Sequence, residues 1–105
     1  MSCDAFHAPC KTAFNSYDMD AWVDGSFVKI QAFGLFWQLS FIECEALAKD
    51  IRSALMDEEQ SRLSRFEVEF DIECDSVYIL NNTNALIIDQ DGALGLCEWL
   101  EKVIG

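Results

Sequence analysis

The stretch Arg65-Phe66-Glu67-Val68-Glu69-Phe70-Asp71-Ile72-Glu73-Cys74-Asp75 alternates without a break between apolar and acidic residues from Phe66 onward. A period of two is the pattern of a strand with one buried face. Phe66, Val68, Phe70, Ile72 and Cys74 supply that face, and the spacing predicts a strand over about 66–74. The opposite face is less ordinary. Glu67, Glu69, Asp71, Glu73 and Asp75 form a row of one sign, with steps of about 6.6–6.8 Å and a length of about 27 Å if the strand runs straight. Folding requires the apolar face. It gains nothing from the acids, which repel one another along a shared surface.

Working backwards, Ser40-Phe41-Ile42-Glu43 has the form of a capping box. It predicts a helix over about 41–56, with Leu47, Ile51, Ala54 and Leu55 on one face. Leu47, Ile51 and Leu55 are expected to meet Phe66, Val68 and Phe70. Residues 56–65 either prolong this helix or leave it. Further upstream, Asp24-Gly25 between two β-prone runs is a hairpin signal, since the tight turn needs positive φ. Strands are predicted near 17–23, 26–33 and 35–40. In Phe33-Gly34-Leu35-Phe36-Trp37-Gln38-Leu39 neighbouring residues are apolar, so either both faces of that strand are covered or one shows an apolar patch. Residues 1–16 carry no clear period and are expected to be loosely ordered.

Working forwards, 76–89 reads as a second hairpin around an Asn-rich turn, because Asn tolerates the left-handed region. Asp91 is the expected cap of a last helix over about 92–103, with Leu94, Cys97, Leu100 and Ile104 inward. The sum is an α+β domain covering residues 1–105. One antiparallel sheet of about five or six strands carries two helices on one face, in the order βββ-α-βββ-α.

The 105 residues are 51% hydrophobic, enough for a core, and no apolar run is long enough for a membrane helix. The N-terminus has no basic start followed by an apolar stretch, so no secretory signal is expected. Five cysteines at wide spacings, an odd number, fit reduced thiols in a cytoplasm. Asp and Glu number 19 against 7 Lys and Arg, a formal charge of −12. Such a surface repels nucleic acid and anionic lipid and attracts basic protein surfaces.

Chemical motifs are few. Cys3, His7 and Cys10 could offer three ligands to zinc, with Cys74 or Cys97 as a fourth, but the spacing matches no paired Cys-x2-Cys module. Asp89, Asp91, Gly92 and Glu98 fit positions of a calcium loop only in a frame that puts Ile87 at the first ligand position, so a turn before a capped helix is the better reading. The single histidine, His7, and the lack of phosphate-loop, serine-nucleophile or zinc-protease motifs argue against an enzyme. No cofactor is expected.

Size, charge and lack of catalytic equipment give a profile similar to that of small phage-encoded inhibitors, the anti-CRISPR and anti-restriction proteins, and to that of immunity proteins that neutralise toxins. The profile implies a cytoplasmic protein, in a bacterial host if phage-encoded. It would block a basic, nucleic-acid-binding site on a partner by nucleic-acid mimicry. It would not bind nucleic acid or membrane itself, and its oligomeric state is open. An immunity protein or antitoxin is the alternative, and a small Cys/His metal protein the third. The residues expected to meet the partner are Glu67, Glu69, Asp71, Glu73 and Asp75, the neighbouring acids Asp57, Glu58 and Glu59, and Phe36 and Trp37 for apolar contact.

Overall fold

The computed structural model describes residues 5–11, 16–32, 34–56, 65–82 and 84–105. Seven strands and two helices follow in the order β1 (Phe6–Lys11), β2 (Ser16–Asp24), β3 (Phe27–Ala32), β4 (Leu35–Ser40), α1 (Phe41–Leu55), β5 (Glu67–Asp71), β6 (Ser76–Asn81), β7 (Asn84–Asp89) and α2 (Gln90–Ile104). The class is α+β. The strands form two antiparallel sheets, of order β1-β2-β3-β4 and β5-β6-β7, in place of the single sheet of five or six strands that the sequence suggests. The order is ββββ-α-βββ-α, one strand longer than expected.

The extra strand is β1, in the segment expected to be loose. It pairs with β2 from Phe6↔Ala21 to Lys11↔Ser16. Pro9 breaks up its pattern in sequence, but a proline is tolerated on the outermost strand of a ladder, which β1 is. Phe6 holds the strand down. Its ring lies 6.1 Å from that of Trp99 on α2, and a Cβ at Gly95 would stand 3.1 Å from the Phe6 ring. The glycine therefore permits the close approach of β1 to the helix. β1 also runs beside β7, so the two sheets lie next to each other.

The β2–β3 hairpin turns at Gly25, whose φ of +63° suits glycine. Helix α1 begins at the expected capping box. Ser40 Oγ accepts from the Glu43 amide at 3.2 Å, and Glu43 Oε1 accepts from the Ser40 amide at 3.0 Å. Helix α2 starts two residues earlier than predicted. Its cap is Asp89, whose Oδ1 accepts from the Gly92 amide at 2.6 Å, and Asp91 falls in the first turn. The buried face also differs from the expected one: Ala93, Leu96, Cys97 and Leu100 are buried, whereas Leu94 is exposed and Ile104 half-buried.

Both helices lie over one face of the sheets. α1 packs on β3, β4 and β5, α2 packs on β1, β6 and β7, and the helices pack on each other. The core takes alternate residues from the strands, among them Val28, Ile30, Leu39, Val77, Ile79 and Ile88, and joins them to Leu47, Ile51 and Leu96. Phe66 and Val68 are buried in the same cluster, with Phe70 and Leu55 packed at its margin. Leu47→Ala should therefore cost about 2–5 kcal/mol, and Phe70→Ala, at a half-buried position, should cost less than Leu47→Ala. Urea denaturation of the two variants checks the order, and a larger loss at Phe70 would contradict the packing.

Candidate functional site

With the inner faces covered, chemistry on the sheets is confined to the outer faces. Strand β5 places Glu67 and Glu69 fully outward and Asp71 half-buried. The acidic row does not continue as a straight strand. The chain leaves β5 after Asp71 and turns over residues 72–75, with Asp75 at φ +52°. Asp71 itself builds the turn: its Oδ1 accepts from the amides of Glu73 at 3.1 Å and Cys74 at 3.4 Å. Ile72 and Cys74, expected in the core, are exposed in this turn. The strand row is thus three acids over about 13 Å, followed by Glu73 and Asp75 exposed on the turn.

The register identifies what lies beside the row. Glu67 stands opposite Leu80 and then Ala85; Glu69 opposite Tyr78 and then Ile87; Asp71 opposite Ser76 and then Asp89. Leu80, Tyr78 and Ile87 are half-buried and Ala85 is exposed, so an apolar stripe borders the acids on the outer face.

The cations are placed elsewhere. Lys29 Nζ lies 2.7 Å from Asp24, Lys49 Nζ 3.3 Å from Glu45, Arg65 Nη1 3.1 Å from Glu43, and Arg52 Nη2 2.7 Å from Glu101. Among the described residues no Lys, Arg or His pairs with Glu67, Glu69, Asp71, Glu73 or Asp75. Asp57, Glu58 and Glu59 lie outside the described residues.

Of the two aromatic residues expected at the partner surface, only Phe36 is outward, at 56% exposure. Trp37 points inward, is 3% exposed, and packs on Phe66 with ring centroids 4.8 Å apart. Alternation along β4 separates the neighbours onto opposite faces, so Trp37 is a core residue and not a contact residue.

His7 stands on β1, opposite Asp20. Its Nδ1 is 2.7 Å from Asp20 Oδ1 and its Nε2 is 3.5 Å from Asp18 Oδ1. Both ring nitrogens thus face carboxylates. Of the zinc candidates, Cys3 and the side chain of Cys10 lie outside what the structure describes, and among the described residues no group of three or more His, Cys, Asp and Glu is arranged to hold a metal ion. The thiols of Cys44, Cys74 and Cys97 are not activated. Burial, and then Glu43, pushes Cys44 up to about 12. Burial also raises Cys97, whose Sγ donates to the Ala48 carbonyl at 3.2 Å, and the carboxylate of Asp71 raises Cys74.

Comparison with protein-family models, with curated proteins and with solved structures found no match to this chain.

The hydrogen bond to Asp20, supported by the charges of Asp20 and Asp18, raises the pKa of His7 above its ordinary 6.5. Because the folded value is the higher one, the stabilisation is fully present below pH 6.5 and fades as pH rises through the raised value. A proton NMR titration should place His7 above 6.5 in the parent and lower in Asp20→Asn. Equal values in the two proteins would show that the contact does not exist in solution.

Proposed function

We propose that this chain is a small acidic binding protein that blocks a basic, nucleic-acid-binding site on a partner protein, without chemistry of its own. The observation that carries the proposal is the placement of its charges. Four cations serve to pair acids on β2 and on the helices, while the acids of β5 and its turn have no cation among the described residues. Unpaired carboxylates on one face repel, so the arrangement is unfavourable for the isolated fold and favourable against a basic surface. The stripe of Tyr78, Leu80 and Ile87 beside them supplies apolar contact, which lengthens the lifetime of a complex that charge brings together quickly.

Three strand acids and an acidic turn would stand in for only a short reach of nucleic acid backbone, and the mimicry we propose is of that length. Asp57, Glu58 and Glu59 precede β5 in the chain, separated from it by a segment that carries Arg62 and Arg65.

Glu67→Gln, Glu69→Gln and Glu73→Gln together remove three charges and leave the Asp71 turn intact. Thermal stability should hold or rise in the triple variant. With parent and variant immobilised against lysate of the native host, the parent should retain a basic nucleic-acid-binding protein that added duplex DNA or RNA releases, and the variant should lose it. Equal retention by both proteins, or a partner that nucleic acid does not displace, would overturn the proposal.

A further inference from the structure

The outer face of the first sheet holds a second pattern. Along β2, Asp18, Asp20, Trp22 and Asp24 share one side, because Met19 and Ala21 between them are fully buried. This places acid, acid, aromatic and acid at steps of about 6.7 Å. Across β3, Trp22 meets Phe36 of β4 with ring centroids 6.4 Å apart and planes inclined at 47°. Phe36 is 56% exposed and Phe27, opposite Asp24, is 42% exposed. Each neighbouring acid already engages one oxygen within the fold: Asp18 and Asp20 with the His7 ring, Asp24 with Lys29. The second oxygen of each has no partner among the described residues.

We propose that this face is a second docking surface, and that its occupant is an arginine-bearing segment of a protein partner. A guanidinium stacks on an exposed aromatic face through its plane and is attracted by the ring quadrupole, while its N–H fork bonds a carboxylate beside the ring. The exposed Phe36 offers the ring face, with the half-buried Trp22 as the second ring, and Asp20, which like Phe36 stands opposite Gln31, offers the carboxylate; Asp24 is held by Lys29, directly opposite Trp22 on β3. A second copy of this chain is a poor occupant. Each copy carries −12, and apposing two such faces would bring Asp18, Asp20 and Asp24 against their own kind. An anionic occupant is opposed by the same three acids. The surface stands independently of the row on β5.

The test uses the full chain, labelled with nitrogen-15 and titrated with a nine-residue arginine peptide and with a lysine peptide of equal length. The arginine peptide should shift the Trp22 indole and the amides around Gln31 and Phe36, and should bind more tightly than the lysine peptide. Phe36→Ala, an exposed substitution with no charge change, should weaken arginine-peptide binding at this face by roughly fivefold. Glu67→Gln/Glu69→Gln/Glu73→Gln should leave these shifts in place. Shifts confined to β5, equal binding of both peptides, or an unchanged affinity in Phe36→Ala would overturn the second surface without touching the proposal for β5. A dimer in sedimentation that Phe36→Ala dissolves would assign the face to self-association and would also overturn it. Loss of the β5 interaction with the Trp22 shifts retained would leave this surface standing alone.

Discussion

The burial of one face of both sheets beneath the α1–α2 pair decides the direction of every other side chain on the strands. Once Val28, Ile30, Leu39, Val68, Ile79 and Ile88 are committed to the helices, the alternate residues must face out. A slip of one residue in β2 would bury Asp18, Asp20 and Asp24, and a slip in β5 would bury Glu67 and Glu69. The cost of burying those charges without partners fixes the register as firmly as the apolar contacts do. The outer surface is therefore not a separate design problem. It is the complement of the core.

Cations are scarce in this chain, and Arg52 and Arg65 sit where elements join. Arg52 of α1 holds Glu101 of α2 with both ends of its fork, at 3.0 and 2.7 Å. The hydrogen bonds from Arg52 keep the Glu101 carboxyl below its ordinary 4.5, so the support of this clasp is present above that value and fades as pH falls through the lowered one. Arg65, just before β5, donates to the Gln38 carbonyl of β4, meets Glu43 of α1 and covers the Phe66 ring at 5.0 Å. It thereby ties the entry of the second sheet to the outermost strand of the first. Partly exposed pairs of this kind contribute about 0–1 kcal/mol each. Their main consequence is geometric, and no cation beyond these joints is seen on the acids of β5 among the described residues.

Elements defined by short-range rules were legible in the sequence. The capping box at Ser40 and Glu43, the Asp24-Gly25 hairpin and the strand at Leu35–Ser40 depend only on neighbouring residues, and all three form where the pattern places them. Features decided by distant contacts were not. β1 has no period of its own, and it is held by Phe6 against Gly95 and Trp99, some ninety residues away. The run of alternation past Asp71 looked like strand, but the Asp71 carboxylate captures two amides and ends it. Asp91 was the expected cap of α2, but the helix begins directly at the end of β7 and Asp89 caps it. Phe36 and Trp37 could not be told apart until the face of β4 was known. The outward β2 acids around Trp22 did follow a legible alternation, yet its meaning required Phe36, two strands away, to arrive beside the indole.

Two uses of surface acid can be separated by position. Charges that serve solubility need only be present, and their location matters little. Charges that guard against unwanted strand pairing belong on the outermost strands. β5 is such a strand in its sheet, so its acids alone fit that purpose as well as binding. β2 is not. It lies between β1 and β3 with both its edges hydrogen-bonded, and nothing can add to it by strand pairing. Asp18, Asp20 and Asp24 therefore guard no edge, and they alternate with an indole that a solubilising surface would not need. Acid in the middle of a sheet, beside the half-buried indole and the exposed Phe36, is not edge protection; His7 and Lys29 engage one oxygen of each acid within the fold, and the oxygens they leave are what a cationic partner would meet.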